Sequence, residues 1–71
     1  MSKFKNLEAE MVRCSLKNED IANELIITPQ TVRRKLNGEV GITIEEAKRI
    51  QKLLLERNPQ ANYTIDFLFA E

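Results

Sequence analysis

Apolar positions return every three to four residues along most of this chain, and turn-forming residues break the pattern into five short pieces. Leu7, Met11 and Cys14 recur at i, i+4 and i+7, with Val12 and Leu16 beside them. That spacing predicts an amphipathic helix from roughly Asn6 to Leu16. A second helix is expected from Asn18 to Leu25, with Ile21, Ala22 and Leu25 inward and Asn18 as its cap. The third opens at Thr28, a good N-cap. Pro29 follows, its fixed φ and missing N–H suited to the first helical position. Val32 and Leu36 form the inner stripe of this third helix, and Asn37-Gly38 ends it.

The fourth piece has the clearest start. Thr43 and Glu46 are spaced for a capping box, and Ile42 and Ala47 for a hydrophobic staple. Ala47, Ile50 and Leu54 make its core stripe, and the helix should stop before Asn58-Pro59. Leu53 and Leu55 widen the apolar arc beyond one face, which suits packing against a last helix or a dimer seam. The fifth piece, Thr64 to about Ala70, carries Ile65, Phe67, Leu68 and Phe69. With Tyr63, its phenylalanines are expected to close the core of a bundle otherwise short of bulk. Nothing reads as strand, so the class is all-α, a single domain of five helices over residues 1–71.

Composition narrows the function more than the fold. Seventy-one residues leave no room for a catalytic domain beside a binding domain. The chain has no His, a single Cys and two isolated Gly. General-base, metal-site and phosphate-loop chemistry therefore lack their usual residues, and neither an enzyme nor a metal or cofactor is expected. Apolar runs reach three residues at most, as at Leu53-Leu54-Leu55, far short of the ~20 of a membrane span. The opening Met1-Ser2-Lys3-Phe4-Lys5 lacks the apolar stretch of a signal peptide. One unpaired Cys14, read as a small core residue, fits a reduced cytoplasmic setting.

Eleven basic residues balance eleven acidic ones, whereas many DNA-binding domains are distinctly basic. The charge is segregated, however. Between Ile27 and Gly38 stand Arg33, Arg34 and Lys35 and no acid. This third piece is too short to form a core alone. It pairs one inward stripe with an outward set able to hydrogen-bond: Gln offers a bidentate amide for adenine, Arg a fork for guanine, and Thr a hydroxyl and a methyl for thymine. A helix N-terminus also suits phosphate. Lys48, Arg49 and Lys52 read as a solvated face, with Glu45 and Arg49 spaced for an i, i+4 pair.

Taken as a unit, NEDIANELIITPQTVRRKLNG (Asn18 to Gly38) has the element order and length of a helix-turn-helix. It resembles the Cro/CI-type (XRE-family) motif of phage repressors and related bacterial regulators. The opening KNLEAEMVR (5–13) and closing YTIDFLF (63–69) are similar to the first and last helices of small phage regulators. The resemblance implies a compact lambda-repressor-like domain and a transcription regulator, a phage or prophage repressor in type, that binds double-stranded DNA as a homodimer. It implies base contacts from the start of the recognition helix, at Pro29, Gln30 and Thr31, and from Arg34. Proline lacks a side-chain donor, so readout leans on Gln30 and Arg34. It implies phosphate contacts from Asn18, Thr28, Lys35 and Asn37, with Arg33 beside them. Leu53, Leu55, Phe67 and Phe69 are the expected dimer or partner surface. The rival reading is a modulator that grips another repressor protein, to which zero net charge and the apolar arc lend weight.

Two positions depart from the family pattern. Ile26 stands where the turn usually holds Gly, so either the turn has another geometry or a β-branched residue sits strained at positive φ, at a cost of about 1–2 kcal/mol. Lys17 stands where a hydroxyl cap is usual, so capping is expected to shift to Asn18.

Overall fold

The computed structural model describes residues 3–71. Met1 and Ser2, and with them the first two positions of the opening segment, lie outside the described residues. Five α-helices follow one another: α1 (Lys5–Arg13), α2 (Asn18–Leu25), α3 (Pro29–Leu36), α4 (Ile44–Arg57) and α5 (Ile65–Leu68). No strand occurs among the described residues, and none of their helices is long and apolar enough to cross a membrane. The class is all-α.

Threonine hydroxyls start three of the helices. Thr28, Thr43 and Thr64 accept from the backbone N–H of Thr31, Glu46 and Phe67 at 3.2, 3.1 and 3.0 Å, each satisfying a donor the helix cannot. At Thr43 the Glu46 carboxylate returns a bond from the Thr43 N–H at 3.0 Å, completing the expected box. α2 starts differently from expectation. Its cap is Lys17, not Asn18, and the Asp20 side chain accepts from the Lys17 N–H at 2.9 Å. This is the return half of a capping box alone: Asp20 satisfies the Lys17 N–H, and among the described residues no side-chain hydroxyl accepts from the N–H groups of the first turn.

The ends of α1, α2 and α3 share one geometry. Each is followed by a residue of positive φ: Ser15 at 55°, Ile26 at 58° and Gly38 at 84°. In each, the next backbone N–H reaches five residues back, from Leu16 to Met11 O, Ile27 to Ala22 O and Glu39 to Arg34 O, at 2.8, 3.0 and 2.9 Å. This left-handed stop satisfies late carbonyls and turns the chain sharply. It explains why α1 ends at Arg13 although the apolar spacing runs on to Leu16. Leu16 is buried from the turn, not from the helix. At Gly38 there is a second constraint, since a Cβ there would lie 2.7 Å from Lys3 Cδ. At Ile26, the strained alternative is the one adopted.

α2 packs against α3 and α4, while α5 packs against α1 and α4. Leu7, Ile21, Val32, Ile50, Leu54 and Leu68 lie at the centre, essentially removed from water. Leu53 and Leu55 are half-buried against this core, so packing accounts for much of the wide arc on α4. Two expectations fail at the edges. Val12 is 76% exposed, because a nine-residue helix has only one face to bury. Phe67 is 44% exposed and does not close the core; Phe4 does, with its ring edge-on to Phe69 at 5.3 Å.

A polar cluster fastens the last segment to α1. The Tyr63 hydroxyl donates to Glu10 Oε1 at 2.8 Å within the core. With its one proton committed, the phenol oxygen accepts from Asn58 Nδ2 and pairs with Cys14 Sγ, both at 3.4 Å. Burial, and then Cys14 and Glu10, push the Tyr63 pKa up to about 12. Arg57, at the end of α4, donates to the carbonyls of Cys14 and Ser15 at 3.3 and 2.7 Å and pairs with Asp20 at 3.3 Å. One guanidinium thus ties the α1 stop to the first turn of α2.

Candidate nucleic-acid interface

The candidate surface is α3 with the residues flanking it. An eight-residue helix is too short to persist alone, and α3 is held from one side. Val32 and Leu36, four apart, are buried against α2 and the core. The other positions are thereby presented outward. Pro29 and Gln30 are exposed at the first turn, and Gln30 makes no side-chain hydrogen bond among the described residues. Thr31 is half-buried, and its hydroxyl pairs with that of Thr28 at 2.9 Å. Both threonines are thus occupied in the cap, with one hydroxyl proton of the pair left to direct elsewhere.

The three cations of α3 have three different surroundings. Arg33 is exposed, with no ion-pair partner among the described residues. Arg34 is exposed, with Nε 3.8 Å from Glu39 Oε1. Lys35, expected on phosphate, turns inward instead. Its side chain is only 13% exposed, and Nζ donates to Gly41 O at 3.1 Å and to Glu46 Oε1 at 3.3 Å. It braces the loop between α3 and α4 against the α4 cap. The Glu46 carboxyl is held below its ordinary 4.5 first by the Thr43 backbone N–H and also by Lys35, against a smaller opposing effect of burial.

Three of the expected phosphate-contacting residues come together. A groove of about 580 Å³ runs between α1, the start of α2 and the flank of α3. Asn18, Arg33 and Asn37 line it, with Pro29 at the i−4 position of Arg33 and Lys17 beside Asn18. Its floor is apolar, from Met11, Leu16 and Leu36, and its rim includes Glu8 and Glu19. Thr28 and Lys35 lie outside this groove. Of the expected dimer or partner residues, Leu53, Leu55 and Phe69 pack in part on the core, leaving Phe67 exposed.

Sequence reasoning missed the anchoring of Lys35 and the pairing of Arg34. The signal for the first was present: a capping-box glutamate, Glu46, already drawn to the loop after α3. The second needed the path of the chain beyond Gly38. Among the described residues no group of three or more His, Cys, Asp or Glu side chains converges as a metal site would require. The chain matches no family model, no curated protein and no solved structure. A functional reading therefore stands on this geometry and on the resemblance carried by the α2–α3 run.

Proposed function

We propose that this chain is a DNA-reading regulator of the lambda-repressor-like helix-turn-helix type, with α3 entering the major groove. The observation that carries the reading is the division of α3. Val32, Leu36 and Lys35 fix it to the body, while Gln30 and Arg34 stand outward at spacing i, i+4 and Asn18, Arg33 and Asn37 gather along one flank. Gln30 and Arg34 are the base readers, suited to adenine and guanine edges. Asn18, Arg33 and Asn37 hold one strand's phosphates and fix the register. Two copies on a pseudo-palindrome would set their α3 helices about 34 Å apart and act by occupying the site.

The test is selection of bound duplexes from a randomised pool, followed by fluorescence anisotropy on the enriched and a scrambled duplex at two salt concentrations. An enriched sequence bound tightly, with affinity falling as salt rises, supports the reading. Arg34→Ala should then cost about 1–3 kcal/mol and relax selectivity at one base pair. Equal losses on enriched and scrambled duplex would overturn the assignment of Arg34 to a base.

A second reading draws on a specific observation. Two of the three α3 cations face acids, and Val12, Ile26 and Ile44 are 76, 87 and 66% exposed. A partner repressor protein gripped through apolar contacts would suit such a surface. Under that reading no sequence is enriched from the pool, and Gln30→Ala and Arg34→Ala leave partner binding intact.

A further inference from the structure

The acid that faces Arg34 is placed by the fold, not by chance proximity along a helix. α3 ends at Leu36, and Gly38 at φ 84° reverses the chain. The backbone N–H groups of Glu39 and Val40 then both reach the carbonyl of Arg34 itself, at 2.9 and 3.4 Å. Residue 39 is thereby fastened back beside residue 34, and its carboxylate meets Nε of that arginine at 3.8 Å, with both side chains more than half exposed. Nε is the inner nitrogen of the guanidinium. A carboxylate there leaves the two terminal nitrogens, the pair that makes an end-on fork, without a partner among the described residues.

We propose that Glu39 is the specificity-determining partner of Arg34, an acid that lets the arginine take a guanine edge but disfavours its taking a phosphate. The proposal rests on the DNA reading above. Guanine presents O6 and N7, neutral acceptors that suffer little from a nearby carboxylate. A phosphate on the same terminal nitrogens is an anion within about a Debye length of Glu39 (~8 Å at physiological salt), close enough to be repelled. On the correct sequence Glu39 lies beside Nε and leaves the fork free for the guanine edge. On other sequences, where Arg34 would otherwise fall to the backbone, it removes that fallback. Its effect is on the ratio of affinities, since specificity is a difference and repulsion of the wrong ligand serves it as well as attraction of the right one.

The experiment uses Glu39→Gln, which keeps the shape and removes the charge, with Arg34→Ala alongside. Both are measured by anisotropy on the enriched duplex and on a random-sequence duplex pool, across a salt series, after circular dichroism has established unchanged helix content. With the charge gone, affinity for the random pool should rise about fivefold, the scale of one exposed ion pair. The dependence of log K on log salt should steepen by about 0.9, one additional phosphate. Affinity for the enriched duplex should change less than twofold, so that selectivity falls. Equal tightening on both duplexes would reduce Glu39 to a general charge effect and overturn the proposal, as would no change on either. A pool that enriches no sequence, or an enriched duplex on which Arg34→Ala binds as the parent does, sinks the use of Arg34 for DNA and the Glu39 assignment with it. An enriched, Arg34-dependent sequence with an unmoved selectivity ratio sinks the Glu39 assignment alone.

Discussion

Replacing Ile26 by glycine should make this protein more stable, although it removes a large apolar side chain. Ile26 sits at φ 58°, ψ 49°, the left-handed region, and is 87% exposed. Its side chain therefore returns little burial energy for the strain its Cβ suffers there. Relief of that strain is worth about 1–2 kcal/mol, against roughly 0.4–1 kcal/mol for the extra freedom glycine gives the unfolded chain. The net expectation is about 0.5–1 kcal/mol of stabilisation, or roughly 2–8 °C in Tm for a domain of this size. Ile26→Asn should also gain, because asparagine tolerates the left-handed region, whereas Ile26→Val should stay near the parent. The assay is urea unfolding followed by circular dichroism, with m compared across the variants. A glycine variant no more stable than the parent, at equal m, would refute the reasoning. It would mean that the turn relaxes around isoleucine, or that the side chain earns more in the monomer than its exposure implies.

The Tyr63–Glu10 bond lies within the core, so Tyr63→Phe should cost about 1–3 kcal/mol by leaving the carboxylate without its buried donor, measured by urea unfolding. Because the folded Tyr63 pKa is raised, its contribution is complete below the ordinary value of 10.0 and is lost as pH rises through about 12. In an absorbance titration, phenolate should therefore appear together with loss of helix signal; ionisation with the helix signal intact would contradict this. Glu46 behaves oppositely: its folded pKa is lowered, so its contribution is present above 4.5 and disappears as pH falls through the lower folded value. Glu46→Gln should flatten the acid limb of a Tm-against-pH curve, and an unchanged limb would count against the Glu46 contacts. Lys35→Met keeps the stem and deletes the charge, so it should cost about 1–2 kcal/mol in stability while leaving the salt dependence of DNA binding unaltered. A salt slope lower by about 0.9 with stability unchanged would return Lys35 to a phosphate.

The parts of this fold that depend on a few neighbouring residues could be read before any coordinates. Thr28 with Pro29, and Thr43 with Glu46, announce helix starts because their partners lie within one turn. The stripes Val32–Leu36 and Ala47–Ile50–Leu54 follow from helical period alone. Other features depend on partners far away along the chain. Glu10 reads as a surface acid until Tyr63, 53 residues later, meets it in the core. Lys35 reads as a phosphate ligand until the loop brings Glu46 to it. Val12 and Phe67 are apolar but point outward, since an apolar residue's sequence records its preference and not the side from which its helix is approached. The end of α1 fell between the two cases: Ser15 at positive φ is a local feature, but serine does not advertise it as Gly38 does.

If α3 meets DNA as proposed, its electrostatics favour reading of bases over binding of backbone. A domain that gripped DNA through phosphate alone would need many free cations, since each neutralised phosphate contributes only a modest increment through counterion release. Here Lys35 is committed inward and Arg34 faces Glu39, which leaves Arg33 as the one α3 cation without an acidic partner among the described residues. Under the proposed DNA reading, such a surface should bind random sequence weakly. Any tight complex it forms must draw on directed contacts by Gln30 and Arg34, each able to fork onto one base, and on duplication of those contacts in a second copy. Under that reading, the pairing of two of the three α3 cations with acids therefore predicts that binding is selective. Weak but sequence-selective binding by one copy, tightening steeply when two half-sites are joined at one helical turn, is the pattern that the proposed DNA reading predicts from this arrangement of charge.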